Sequence, residues 1–357
     1  MKYVIIGNYI LNLEVIMSDI YFPVRYSQLK PEALKNELIK RYELEEPLSC
    51  RYFDDGLNAI YKVNAGEKVY YLRISLTGVH EKCDYEEEIF IINTLYKNSL
   101  RVAAPVIDKD GSYVWEIPAP EGKRYVVLFE EAKNVPSEDH IKKSYNLGQM
   151  LAKLHTISDE HNFKVSRTPI DLIQLAEKPL KLIHPYLVHR PDDYEYLRSS
   201  AEKLCGHISN NLNRNKPVYG YCHGDIHSGN VFFEGNNPTI FDFDCMGYGW
   251  RIYDISIFVW NETASDEKYI EKEPWKSFLE GYNSVRKLSD IELSSLPAFA
   301  ALRELWLMGL HADVMELNAG CCWYNDDYFD YRMGLFKLWY HRFINELDLT
   351  TEPAINQ

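Results

Sequence analysis

The chain has 357 residues, 46% hydrophobic and 26% charged, with only 18 Gly and 16 Pro, which excludes disordered, collagenous and low-complexity classes. Its length suits one large domain or two modest ones. A net charge of −14 without a basic patch argues against nucleic acid and anionic membranes as partners.

The opening MKYVIIGNYILNLEVIM carries one basic residue, and Asn8, Asn12 and Glu14 interrupt its apolar run. It is too short and too polar to span a bilayer and lacks a signal-peptide cleavage pattern. Residues 1–17 therefore read as an N-terminal extension with Met17 as the preferred start; a structured extra strand or helix is the alternative. Within 29–42, Leu34, Leu38 and Tyr42 recur at helical spacing after Pro31, a good first-turn residue. Segments 48–54, 58–63 and 69–75 are short and rich in Tyr, Val, Ile and Leu, and predict an antiparallel meander. A helix follows, with Asp84 expected as its cap and Glu87 as the reciprocal partner of a capping box. Strand-like runs come next at 101–107, 113–117 and 124–130.

Beyond Asn134 the pattern turns helical. Leu147, Met150, Leu151 and Leu154 share one face, and Leu180, Leu182 and Ile183 belong to another helix. A strand–loop–strand interlude at 218–246 interrupts this, and helices resume from 252, one of them starting at 288–293. The expected fold class is α+β: an antiparallel-sheet lobe with one key helix over 18–133, a mostly helical lobe over 134–357, and a hinge near 130–134. Seven scattered cysteines with no CxxC pair suit a reducing cytoplasm.

The interlude carries the chemistry. His223-Gly224-Asp225-Ile226-His227-Ser228-Gly229-Asn230 lies between two apolar strands, and Asp242-Phe243-Asp244 follows Phe241 at the end of the next one. Asn230 and Asp242 offer hard oxygen ligands of the kind Mg²⁺ prefers. Asp225 remains to orient a hydroxyl and accept its proton in phosphoryl transfer. Either motif alone is more often turn chemistry, with Asp bonding its own backbone and Gly at positive φ. Together they repeat the spacing of a kinase catalytic loop and metal loop.

On these residues the chain resembles the kinase-like phosphotransferases that include aminoglycoside phosphotransferases, choline kinases and kinase-fold homoserine kinases, whose pattern is HGDxHxxN followed by DF[DEG]. The resemblance implies a bilobal protein-kinase-like fold, Asp225 as catalytic base, Asn230 and Asp242 as Mg²⁺ ligands, and ATP or GTP as donor. It places His227 either against the γ-phosphate or as a brace of the loop, His223 as structural support, and Asp254, in Tyr-Asp-Ile-Ser, as a loop-holding residue. Asp55-Gly56-Leu57-Asn58 resembles the phosphate-covering turn. Arg73 occupies the strand position of the phosphate-gripping Lys and can fork onto phosphate. Glu88, aligned with Ile92 and Leu95 on the inward stripe, is the expected partner of Arg73. With Glu130 these complete the expected nucleotide-binding set: Gly56, Asn58, Arg73, Glu88 and Glu130. The run from Leu147 to His155 resembles the family's LGxxLAxLH helix, in which Gly148 allows close helix approach.

The acceptor is expected to lie against the C-terminal helices, within 270–345. Trp306, Asp313 and Glu316, near Trp323 and Tyr324, would suit an amine-bearing alcohol; core packing of these aromatics is the alternative. The expected function is transfer of a nucleotide's γ-phosphoryl group to a hydroxyl of a small molecule: an amino alcohol, an amino acid or an aminoglycoside-like compound. A protein Ser/Thr kinase of the bacterial stress-response type and a non-catalytic spore-coat-like member are the alternatives.

Overall fold

The computed structural model describes residues 22–163, 165–315 and 321–351, with side chains up to 346, and two N-terminal strands, β1 (Tyr3–Ile6) and β2 (Tyr9–Asn12), paired antiparallel. Met17 and Glu316 lie outside the described residues. The chain divides into two compact units, Met1–Tyr85 with Pro105–Glu130, and Glu86–Ala104 with Glu131–Gln357.

The first unit holds helix α1 (Pro31–Arg41) and a five-stranded antiparallel sheet in the order β3-β4-β5-β7-β6. Its strands are β3 (Leu48–Asp55), β4 (Asn58–Ala65), β5 (Lys68–Ser75), β6 (Trp115–Ala119) and β7 (Gly122–Glu130). Period-two alternation buries Ala59, Tyr61, Val63 and Ala65 of β4 against Leu34 and Leu38 of α1 and Leu72 and Ile74 of β5. Arg124 is wholly buried in this sheet, where it donates to the carbonyls of Ser75 (2.6 Å) and Ser27 (2.8 Å).

Helix α2 (Lys82–Lys97) begins three residues earlier than the capping reading required. Asp84 therefore sits inside the first turn, where its carboxylate accepts from the Glu81 amide at 2.9 Å. Glu87 is not a capping partner: its carboxylate accepts from the amide (2.8 Å) and hydroxyl (2.9 Å) of Ser166. Residues 101–107 also form no strand. Val102 bridges Ile240, Pro105 bridges Phe129, and Pro105, lacking an N–H, cannot carry a continuous ladder. The segment Glu86–Ala104 groups with the second unit through bonds such as Ala103 N–H to the Ile240 carbonyl (3.1 Å) and Arg101 to Glu234 (2.7 Å).

In the second unit α3 (His140–His161) and α7 (Glu273–Asn283) pack backbone to backbone: a Cβ on Gly148 would lie 2.0 Å from the Phe278 carbonyl oxygen. A π-turn at Ile173–Glu177 leads into α4 (Lys178–Ile183), and α5 (Pro191–Asn211) follows. Two short ladders then pair β8 (Tyr219–Cys222) with β11 (Gly247–Trp250), and β9 (Val231–Glu234) with β10 (Asn237–Ile240). Helix α6 (Arg251–Ser265) is buried along its first ten residues. Helix α8 (Asp290–Val314), opened by a Ser289/Glu292 capping box, runs through the interior, and α9 (Asp326–Thr351) packs on it.

Candidate active site

Loop 223–230 leaves β8 and returns as β9, and its backbone is fixed before any side chain acts. Gly224 takes φ +83°, and a Cβ there would lie 2.1 Å from the Cys245 carbonyl oxygen, so only glycine fits. Asp254, in the first turn of α6 and wholly buried, accepts from the amides of His223 and Gly224, one on each carboxylate oxygen, both at 2.8 Å. His155 of α3 meets the same carboxylate at 3.0 Å through Nε2, and its Nδ1 lies 2.9 Å from the Tyr282 hydroxyl. Burial pushes His155 down to about 4 against the opposing bond to Asp254. The ring is therefore neutral near pH 7: Nε2–H donates to the carboxylate, and Nδ1 accepts from Tyr282.

His223 ties the loop to the end of β10. Its Nδ1 accepts from the Asp225 amide (3.3 Å), and its Nε2 reaches the Phe241 carbonyl (3.2 Å). His227 Nδ1 accepts from the Gly229 amide (3.0 Å), and Nε2 lies 3.4 Å from Asp225 Oδ2. His227 thus contacts the loop itself, and His223 ties the loop to Phe241 just after β10.

Asp225 is gripped from both sides. Oδ1 pairs with the guanidinium of Arg303 from α8, while Oδ2 accepts from Asn230 Nδ2 at 3.1 Å and faces His227. Burial works to raise its pKa, but Arg303, His227 and His223 outweigh that and hold the carboxyl well below the usual range. Arg303 also points Nη1 at the Gly224 carbonyl and the Tyr253 hydroxyl, both at 3.4 Å. Its guanidinium lies 4.2 Å from the ring centre of Trp306.

Asn230 gives its amide hydrogens to Asp225, to the carbonyl (3.0 Å) and to Oδ2. The donor atom its side chain keeps for a cation is therefore the oxygen. The Phe241 amide donates to the Asn230 carbonyl (3.1 Å), which sets Asp242 next to Asn230. Asp242 is exposed at φ +62°, a left-handed conformation that Asp tolerates and that recurs at functional turns. One amide oxygen and one carboxylate fit a hard divalent cation that completes its shell with water and phosphate. The described cluster with metal-ligand spacing is instead His155, Cys222 and Asp254, wholly buried. There His155 and both Asp254 oxygens are already committed to hydrogen bonds, so it is a brace.

The remaining expected residues divide between the units. Gly56 lies in the two-residue turn between β3 and β4, with its amide on the Asn58 carbonyl (3.2 Å). Arg73 is buried on β5, its guanidinium 5.1 Å from the Phe129 ring centre, and Glu130 is exposed at the end of β7. In the second unit Glu88, wholly buried, pairs with Arg167 at 3.0 Å, and Arg167 also bonds the Asp244 carbonyl. Trp306 stands beside Arg303, while Asp313 is exposed two turns further along α8. Trp323 and Tyr324 pack with His311 (5.2 Å from Trp323) and Phe329 (4.9 Å from Tyr324), and the Tyr324 hydroxyl donates to the Met308 carbonyl. Those aromatics are engaged with one another.

Arg303, Arg167 and Glu262 were not singled out from sequence. A signal existed for the first: Arg303-Glu304 interrupts the run AFAALRELWLMGL, and charges in a run that reads as buried must be paired. A cavity of about 640 Å³ opens beside His227 and Ser228, walled by the start of α3, by β9 and by the end of α6.

A loop carrying an ionised Asp, an Asn five residues on and an Asp at the next strand end, in a chain that also folds a five-stranded antiparallel sheet unit, marks a kinase-like phosphotransferase. The family model for the phosphotransferase enzyme family matches residues 49–287, and the chain belongs to that family. It is a phosphotransferase by family. It is 34% identical over 300 residues to an uncharacterized protein of Synechocystis, covering 83% of this chain and 82% of that one. Amicoumacin kinase of Bacillus subtilis is 25% identical over 298 residues, 80% of this chain and 86% of the kinase. The solved amicoumacin kinase hAmiN, in complex with AMP-PNP, Ca²⁺ and Ami, superposes with a TM-score of 0.70 at 23% identity, covering 94% of this chain and 96% of that one. Among the described residues no helix is long and apolar enough to cross a membrane.

Proposed function

We propose that this protein transfers the γ-phosphoryl group of ATP, or GTP, to a hydroxyl of a small molecule in the cytoplasm. The observation that carries the reading is the Asp225 carboxylate, ionised by Arg303 and aimed by Asn230 and His227. A carboxylate so acidic cannot pull a proton from an alcohol in the ground state. Phosphoryl transfer does not require that, because its transition state is loose and bond formation to the nucleophile lags. Asp225 holds the hydroxyl in line by accepting its hydrogen bond. It takes the proton as the oxygen–phosphorus bond forms and the bond to the β-phosphate oxygen breaks, and then passes the proton to solvent. Asn230 and Asp242 hold Mg²⁺, which supplies charge neutralisation on the phosphates when bound. Arg73 is assigned to phosphate, and Gly56, Asn58, Glu88 and Glu130 to the nucleotide, from the strand, turn and helix they occupy in the family pattern.

The test is Asp225→Asn. The side chain keeps its size and loses its charge, so turnover falls ~10²–10⁴-fold while Mg²⁺-dependent nucleotide affinity persists. Turnover is read as ADP release with a panel of amino alcohols, amino acids and aminoglycosides. Unchanged turnover would reduce Asp225 to a turn residue, and joint loss of affinity and turnover would make it a metal ligand. Label transfer to protein alone would favour the protein kinase reading.

A further inference from the structure

The turn that presents Asp242 is held from behind by Arg167. Asp242 takes its left-handed φ of +62° between two fixed flanks. Upstream, the Phe241 amide is bonded to the Asn230 carbonyl. Downstream, Arg167 Nη1 donates to the carbonyls of Phe243 (3.4 Å) and Asp244, and lies 3.5 Å from Asp244 Oδ1. The other arm of the guanidinium, Nη2, donates to Glu88 Oε2 at 3.0 Å. Arg167, Glu88 and Asp244 are all buried, and all three belong to the second unit. Ser166 bonds Glu87 through its amide and its hydroxyl, so consecutive residues 166 and 167 clasp consecutive glutamates of α2.

Withdrawing a guanidinium and two carboxylates from water is costly, and an apolar filling of the same volume would stabilise a fold as well or better. What an apolar side chain could not supply is the planar fork, which reaches two successive carbonyls with one arm and a carboxylate with the other. Those carbonyls belong to the two residues that follow Asp242, and a non-glycine residue at positive φ persists only where its surroundings enforce it. We propose that Arg167 is a positioning residue for the metal loop: by holding the Phe243 and Asp244 carbonyls it fixes the turn from which Asp242 reaches a divalent cation, and Glu88 acts on that cation through Arg167. This rests on the phosphotransferase reading above and deepens it at the metal. It gives Glu88 a task in the second unit besides its nucleotide one, and it makes the buried Asp244 a second counter-charge for Arg167.

The experiment is calorimetric titration of the full chain with AMP-PNP, once in EDTA and then at a series of Mg²⁺ concentrations. The quantity read is the gain in AMP-PNP affinity that Mg²⁺ confers. Arg167→Lys keeps the charge among the buried carboxylates but offers one nitrogen in place of two separated ones. It should cut the gain about tenfold or more while the affinity in EDTA hardly moves. The Mg²⁺ concentration for half-maximal ADP release should rise with it, and turnover should recover at saturating Mg²⁺. Glu88→Gln should cut the gain in the same direction, and add little once residue 167 is Lys. The proposal is overturned if Arg167→Lys leaves the gain unchanged, if it weakens both affinities equally, or if the two substitutions add in full. Should Arg167→Lys fail to fold, Glu88→Gln alone decides, and an unchanged gain overturns the proposal. None of these titrations needs turnover, so the phosphotransferase reading fails separately, when Asp225→Asn leaves turnover unchanged. A wild-type chain whose AMP-PNP affinity ignores Mg²⁺ would overturn the metal assignment and this proposal with it.

Discussion

The loop around Asp225 is held from three helices: Arg303 of α8 pairs with its carboxylate, Asp254 of α6 accepts from two of its amides, and His155 of α3 bonds Asp254. Around the cavity that borders His227 and Ser228, the side chain of Glu262 accepts from the neutral amide of Asn261, and the wall mixes the rings of Phe232, Phe258 and Tyr269 with Lys143, Asp266 and Lys272. The first region is fixed before any ligand arrives. In the second, among the described residues, Glu262 forms no ion pair with Lys or Arg. Chemistry that must occur at a stated atom calls for preorganisation.

This contrast can be broken in three ways. Arg303→Met should have the largest effect, because it strands Asp225 as a partly buried charge. A loss of about 3–5 kcal/mol is expected in urea unfolding, and the double variant with Asp225→Asn should recover part of it. A destabilisation under 1 kcal/mol would show that the ion pair is not a clamp.

Acidification comes next. His155 titrates near 6.5 when unfolded and is pushed down to about 4 by burial in the fold. Below pH 6.5 the unfolded chain therefore binds the proton first, and stability falls as pH drops from 6.5 toward 4, by roughly 3 kcal/mol from this group. His311, also pushed down to about 4 by burial, adds a loss of the same sign. His155→Gln should flatten the dependence of the urea midpoint on pH by its own share and leave that of His311. An unchanged slope would mean that the ring is already charged.

The smallest effect sharpens the comparison. Glu262→Gln should alter stability by no more than about 0.5 kcal/mol, because the bond from Asn261 survives and no ion pair is lost. A large loss there would turn Glu262 into a structural residue.

What the amino-acid pattern disclosed follows the same division. The catalytic loop, the Asp242 strand end, the β3–β5 meander and the helix bearing Gly148 are contiguous, and their spacing alone places them. The loop-holding place of Asp254 came from the family resemblance, since Tyr-Asp-Ile-Ser by itself reads equally as an ordinary first-turn Asp. Arg303 stands 78 residues from Asp225, and the partners of Glu87 and Glu88, Ser166 and Arg167, lie 79 residues away in each case. Only folding brings such pairs together, so local periodicity could not assign them, and Glu87 was given a cap it does not make. Residues 101–107 had the composition of a strand, but Pro105 limits them to isolated bridges. The cavity was illegible for the same reason, being gathered from loop 223–230, β9, helices α3, α6 and α7, and the segment at Tyr269.

The glycine contact between α3 and α7 has a consequence at the cavity. Gly148 meets the Phe278 carbonyl, and reciprocally a Cβ on Gly281 would lie 2.0 Å from the Tyr145 carbonyl oxygen, so the two backbones touch. The opening turns of those helices, through His140, Lys143 and Leu147 on one and Pro274 on the other, are walls of the cavity. Its breadth is therefore gauged by two hydrogen atoms that face neither substrate nor solvent. A methyl group at either position would wedge the helices apart and widen the chamber without altering a single lining residue. The width of the chamber can thus change through a hinge of glycines behind the wall, while the loop that carries Asp225 keeps its geometry.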